Sequence, residues 1–147
     1  MKQTQLEKHF LNLAGEYGVC AELAKYEILG SITYGMHKAA DIIVVNPENK
    51  KSFVIEVKTT KSNKIVTGFF QKYKTKETIH PDFWVIVHID NENKSFFYVL
   101  THNEVASIQM KANGMKEWKE IIGVDNVKIE PFLEHENKWE KIVEVLK

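Results

Sequence analysis

Between positions 40 and 60 the chain reads ADIIVVNPENKKSFVIEVKTT, with Asp41 at the mouth of one apolar run and Glu56-Val57-Lys58 near the end of the next. Side chains alternate between faces along a β-strand, so Glu56 and Lys58 share a face, their Cα atoms about 6.5 to 7 Å apart, and Val57 points away. Asn46-Pro47-Glu48-Asn49-Lys50 is turn chemistry, so 42–45 and 53–58 are expected to pair as an antiparallel hairpin. Asp41 then lies opposite the end of the second strand. Two carboxylates and an ammonium group converge without any long-range coincidence, a set able to build a metal-dependent phosphodiesterase site.

The elements around this hairpin follow from periodicity. Apolar residues at 6, 10, 13, 17, 20 and 24 form a stripe of period 3.6 and predict one long helix over 2–29, stopped by Gly30. A short strand is expected within 31–40, before a loop carrying Gly35, His37 and Lys38 that delivers Asp41. The mixed stretch 65–77, with Phe69, Phe70 and Tyr73, reads as a second helix ended by His80-Pro81. Two aromatic and β-branched runs, 83–90 and 96–101, flank Asn91-Glu92-Asn93-Lys94 as a second hairpin. Thr101-x-x-Glu104 is a capping box that opens a helix to about residue 111, before Asn113-Gly114. Residues 115–132 look irregular, and 135–146 reads as a C-terminal helix with Trp139, Ile142, Val143 and Leu146 on one face. The order implies an α/β protein in the broad sense (α+β), a mixed sheet flanked by helices in a single domain, 1–147.

The first helix offers two glutamates near its middle. On a wheel of 100° per residue, the stripe centred on positions 13, 17, 20 and 24 puts Glu16 at its margin and Glu22 almost opposite. Glu16 is therefore the candidate for reaching a site at the sheet edge, with a surface role as the plain alternative.

Composition bounds the partners. The 147 residues carry 20 basic and 20 acidic side chains, a formal net charge of zero, which by itself argues against a nucleic-acid ligand. Distribution says otherwise: between Lys58 and Lys76 lie lysines 58, 61, 64, 72, 74 and 76 and no acid. A lysine run is ordinarily a solvated face, but beside two carboxylates it resembles a phosphate track. Lys61, Lys64, Lys72 and Lys74 are its candidate contacts, and His37 and Lys38 could touch a scissile phosphate from the loop before Asp41. Every basic residue is lysine, a point charge suited to phosphates, whereas bidentate reading of guanine favours arginine. Recognition should follow backbone or shape more than base sequence.

Other chemistries find no support. Cys20 is the only cysteine, which excludes an internal disulfide and a cysteine-based zinc cluster, and its helical setting suits a small buried thiol. The six histidines are scattered without ligand spacing. Nothing resembles a serine or cysteine hydrolase, a phosphate-cradling glycine loop or a dinucleotide fingerprint, so no nucleotide cofactor is expected. No apolar stretch approaches the roughly 20 residues that span a bilayer, and the Met-Lys-Gln-Thr start lacks the apolar core of a secretory signal, pointing to a cytoplasmic protein without membrane partners.

Asp41 and Glu56-Val57-Lys58, with Thr59-Thr60 following and a glutamate-bearing helix before, resemble the PD-(D/E)xK nuclease superfamily, the restriction-endonuclease-like fold. The segment from Gly15-Glu16 through Ala21-Glu22-Leu23 looks like the first helix of its Holliday junction resolvase branch. The resemblance covers roughly residues 12 to 90, and Ala40 stands where many members carry proline. It implies that Asp41, Glu56 and the Val57 carbonyl hold Mg2+, with Mn2+ as substitute, and that Lys58 orients or activates the attacking water. Glu16 would contribute through water or a second metal. The implied activity is metal-dependent endonuclease cleavage of DNA, resolvase-like and of little sequence specificity. Carboxylates this close repel when no metal is present, so stability should depend on cation. One metal site cuts one strand, and small relatives are often dimers, so a homodimer is among the expected assemblies. The competing expectation, motivated by the neutral charge and small size, is an inactive nuclease-fold domain that binds nucleic acid or protein.

Overall fold

In a computed structural model of the protein, which describes residues 2–33, 41–75, 77–119 and 125–147, the expected hairpin is the centre of the sheet. Strands β2 (Ile42–Val45) and β3 (Ser52–Thr60) pair antiparallel, with Ile42 opposite Ile55 and Val45 opposite Ser52. The turn closes because Asn46 and Asn49 each accept a backbone N–H two residues on, from Glu48 at 3.0 Å and Lys51 at 2.9 Å. β1 (Leu29–Ile32) pairs with the outer side of β2. On the other side β3 runs parallel to β5 (Phe83–Ile89), which turns back antiparallel into β6 (Ser95–Thr101). The sheet order is β1-β2-β3-β5-β6, and β3 is the strand at which antiparallel pairing gives way to parallel.

Each face of the sheet buries its own apolar layer. Helix α1 (Gln5–Ala24) and the last helix, Glu140–Leu146, cover one face, where Val19, Leu23 and Ile142 meet Ile55, Val57, Val85 and Val87. The other face carries α2 (Phe69–Lys72) and α3 (His102–Ala112), with Phe69, Phe70 and Val105 against Trp84, Ile86 and Leu100. β5 is thus buried on both sides, which is why it reads as an apolar run interrupted only by the half-buried His88. The Thr101–Glu104 capping box opens α3 as expected, and a second box, Thr4–Glu7, opens α1. Among the described residues no helix is long and apolar enough to cross a membrane.

Several expectations need correction. The first helix ends at Ala24, well before Gly30; the chain turns through Glu27 in the left-handed region (φ 62°), and Gly30 lies inside β1. A side chain at Gly30 would sit 3.1 Å from the Cys20 sulfur, so glycine is there for close approach. The stretch 65–77 is mostly not helical: Lys64–Val66 forms β4, and only Phe69–Lys72 makes a helical turn, started by Gly68 at φ 65°. The β-branched Ile65-Val66-Thr67 favours the extended chain. Within 115–132 lies β7 (Asn126–Lys128), which pairs with β4, and a 3-10 helix, Glu130–His135, precedes the shortened last helix, now α4 (Glu140–Leu146).

The docking face of α1 is also rotated from the expected stripe. Leu6, Phe10 and Tyr17 are 63%, 61% and 56% exposed, while Gly15, Glu16, Val19 and Leu23 face the sheet. Backbone approach decides this orientation. A Cβ placed on Gly15 would fall 1.8 Å from the Thr59 Oγ1 atom, so only glycine lets α1 settle onto β3 there. Cys20 is half-buried, and burial, helped by the neighbouring Glu16 charge, raises its thiol pKa, in keeping with an inert thiol.

Two predictions follow from this packing. Gly15→Ala should lower stability by about 1–3 kcal/mol in urea unfolding despite its better helix propensity, because overpacking exceeds that gain. Thr59→Ala, which removes a buried hydroxyl that has no hydrogen-bond partner among the described residues, should restore part of the loss; an unchanged midpoint for Gly15→Ala alone would contradict the close-approach account. The second concerns His102, which lies 6% exposed beneath α2, accepts from Trp84 Nε1 at 3.1 Å and stacks on His80 at 3.7 Å between ring centroids. Burial, then the nearby His80, lowers its pKa from 6.5 to about 4. A lowered folded-state value means that its contribution is complete above the unfolded value and is lost as pH falls from about 6.5 towards 4. Urea midpoints should decline across that window, and His102→Gln should flatten the decline.

Candidate active site

Asp41 is fixed at both ends of its residue. Its backbone carbonyl accepts from the Thr33 amide at 2.9 Å, one rung beyond the β1–β2 ladder. Its carboxylate oxygen Oδ2 accepts from the Val57 amide at 2.8 Å, so a side chain continues the β2–β3 ladder where backbone pairing stops. In a strand the N–H and C=O of one residue project to the same side. The Val57 carbonyl therefore faces the Asp41 side of β3 as well.

Glu56 and Lys58 share the opposite face of β3 from Val57 and Thr59, as the alternation requires. Glu56 is buried, with only 8% of its side chain exposed, and Lys58 Nζ stands 3.4 Å from its Oε1. The same oxygen accepts from Lys72 Nζ at 2.8 Å, a closer contact than that of Lys58. Two ammonium groups thus offset the repulsion expected between bare carboxylates. Tyr73, buried beside this group, has its hydroxyl pKa raised by burial and then by the Glu56 and Asp41 charges, so it stays a neutral donor.

The position of Lys72 is set by a buried polar cluster at the start of α2. Thr67 Oγ1 accepts from the Phe69 amide at 3.2 Å and donates to Gln109 Oε1 at 2.8 Å, while Asp125 Oδ2 accepts from the Phe70 amide at 2.7 Å. Gln109 Nε2 closes the cluster by donating to Asp125 Oδ1. Burial raises the Asp125 carboxyl pKa against the lowering effect of these bonds.

Asp41, Glu56, Val57 and Lys58 therefore come together as the sequence predicts. Glu16 is buried on the α1 face that meets β3, next to the Gly15–Thr59 contact, whereas Glu22 holds a surface ion pair with Lys25 at 3.0 Å. The preference for Glu16 agrees with its burial, although the helix phase behind it was displaced. Among the described residues no group of three or more His, Cys, Asp or Glu side chains is arranged to hold a metal ion. Lys61, Lys64 and Lys74 are exposed, and Lys64 lies opposite Lys128 across the β4–β7 pair. His37 and Lys38 lie outside the described residues. Sequence reasoning missed Thr33 and Tyr73 and treated Lys72 only as one lysine of a run; the adjacency of Lys72 to the buried aromatics 69, 70 and 73 was the available signal.

No protein-family model and no curated protein sequence matches the chain. Among solved structures it is similar to a bacterial homing endonuclease, I-Ssp6803I, with a TM-score of 0.58 and 14% identity over 99% of this chain and 94% of that one. It also aligns with Hjc, a Holliday junction resolvase from the archaeal hyperthermophile Archaeoglobus fulgidus, at a TM-score of 0.47 and 12% identity, over 92% of this chain and 99% of that one. The likeness to the homing endonuclease shows the fold alone, a restriction-endonuclease-like one: a mixed five-stranded sheet with helices on both faces.

The Asp41–Val57 bond separates structure from charge. Asp41→Asn keeps an oxygen for the Val57 amide and should unfold close to wild type in metal-free buffer, whereas Asp41→Ala strands a buried N–H and should cost about 1–3 kcal/mol. Equal urea midpoints for the two variants would show that the bond does not hold the strand.

Proposed function

We propose that the protein is a divalent-cation-dependent DNA endonuclease. The observation that carries this reading is the bond that ties Asp41, at the start of β2, to the Val57 amide of β3 next to Glu56, in a restriction-endonuclease-like sheet with Lys58 on the Glu56 side. The donors suit a hard cation such as Mg2+ or Mn2+: two carboxylates, one of them anchored by an amide, and the Val57 carbonyl on the same edge of β3. A cation bound there would neutralise phosphate charge and lower the pKa of a bound water. Two carboxylates and a carbonyl leave positions for water and substrate oxygens.

The chain's own groups supply the rest. Asp41 is held by the Thr33 and Val57 amides, so the direction of its carboxylate is fixed. Lys58, only 27% exposed and carried on a central strand, is placed to orient the attacking water and to donate to the phosphate oxygens as negative charge builds. Tyr73, buried and close enough for its hydroxyl to feel the Glu56 charge, flanks that side. Glu16 would act through water or at a second metal position, and Lys61, Lys64 and Lys74 would follow the phosphate backbone without reading bases. Resolvase-like action on both strands would need two copies of the site, hence a homodimer.

The test is cleavage of supercoiled plasmid, branched DNA and single strands by purified protein with Mg2+ or Mn2+. Cleavage should require the cation, and Asp41→Ala, Glu56→Gln and Lys58→Ala should each reduce it on the order of 10²–10³-fold. Cleavage that persists in these variants would overturn the assignment. Cation and DNA binding without cleavage of any substrate would favour the inactive binding domain.

A further inference from the structure

We propose that Lys72 is a resident counter-ion of the acid site that yields Glu56 to the divalent cation and then takes up the substrate's phosphate. This rests on the nuclease reading above and assigns α2 the task of coupling cation arrival to DNA contact. Glu56 Oε1 accepts a hydrogen bond from Lys72 at 2.8 Å and stands 3.4 Å from the Lys58 ammonium as an ion pair. Lys72 takes one of the two lone pairs of that oxygen, and both ammonium charges compete there with an arriving cation. A cation brought to that oxygen is repelled by both ammonium groups, and the departure of one relieves the repulsion.

Geometry decides which one leaves. Lys58 is two residues from Glu56 on the same face of a strand paired on both sides, and 27% of its side chain is exposed. Lys72 is 49% exposed and reaches the carboxylate from a separate element, so its side chain can swing into solvent without disturbing the sheet. The backbone of α2 cannot follow, because its first amides are held by Thr67 and Asp125. The released ammonium therefore stays tethered within a side chain's length of Glu56, where the phosphate of a cleavable backbone must lie. Exchange also limits the excess of positive charge: the cation adds two charges, and the displaced ammonium is matched by a phosphate.

The consequence is an opposed pair of effects in one variant. Lys72→Gln should bind Mn2+ about two- to five-fold more tightly by calorimetry, since a half-exposed competing ion pair has been removed. The same variant should bind a duplex more weakly by fluorescence anisotropy in Ca2+, with the slope of log affinity against log salt reduced by about one. Lys72→Arg should restore the salt slope, and thermal melts should show all variants folded. Unchanged or weaker Mn2+ binding in Lys72→Gln, or an unchanged salt slope, would overturn the exchange while leaving the nuclease reading intact. Wild-type protein that takes up no Mn2+, with no difference for Glu56→Gln, would overturn both.

Discussion

The hydrogen bond from the Val57 amide to the Asp41 carboxylate is the joint around which the rest of the molecule is arranged. It lies where the β2–β3 ladder stops, on the strand that changes from an antiparallel to a parallel neighbour. A carboxylate in place of a backbone carbonyl satisfies a buried donor and at the same time fixes an acid at the open end of a strand. It also pins the hairpin register, since a slip of one residue would send Glu56 and Lys58 into the layer occupied by Ile55 and Val57. Thr33 behind Asp41, and the Asn46 and Asn49 turn at the far end, hold the same register from outside.

Neutrality takes on a different meaning at this scale. The whole chain balances 20 basic against 20 acidic residues, and the site repeats that balance with Asp41 and Glu56 against Lys58 and Lys72. A burial of charge that would be costly for any one of these groups becomes tolerable for the set, because each acid meets a donor of its own. The zero net charge that argued against a polyanionic ligand is compatible with one, provided that the charges rearrange when the ligand arrives.

What the sequence disclosed was what depends on neighbours in the chain. The β2–β3 hairpin, the β5–β6 hairpin and the Thr101–Glu104 box are local, and each was legible from turn residues, alternation or a four-residue spacing. β4 and β7 were not, since three-residue strands more than 50 positions apart carry no period and find each other only through the fold. The same holds for Lys72, whose contact with Glu56 depends on a single helical turn set by Thr67, Gln109 and Asp125. The face of α1 was misplaced for a subtler reason: Leu6, Phe10 and Tyr17 outweigh Gly15 in any count of hydrophobicity, yet the helix seats where the smallest residue allows it to.

That seat has a consequence for the order of assembly. Gly15 and Gly18 both face packed neighbours, Thr59 and Phe97, and each weakens an isolated helix by about 1 kcal/mol relative to alanine. With a costly nucleus and two such positions near its middle, α1 has little helicity to offer before there is a sheet to receive it, whatever its Thr4 cap contributes. The hairpin carrying Asp41 and Glu56, acids only 15 positions apart, closes a short loop and can form on its own terms. Glu16, lodged between the two glycines, gains its buried position only when α1 docks on the sheet.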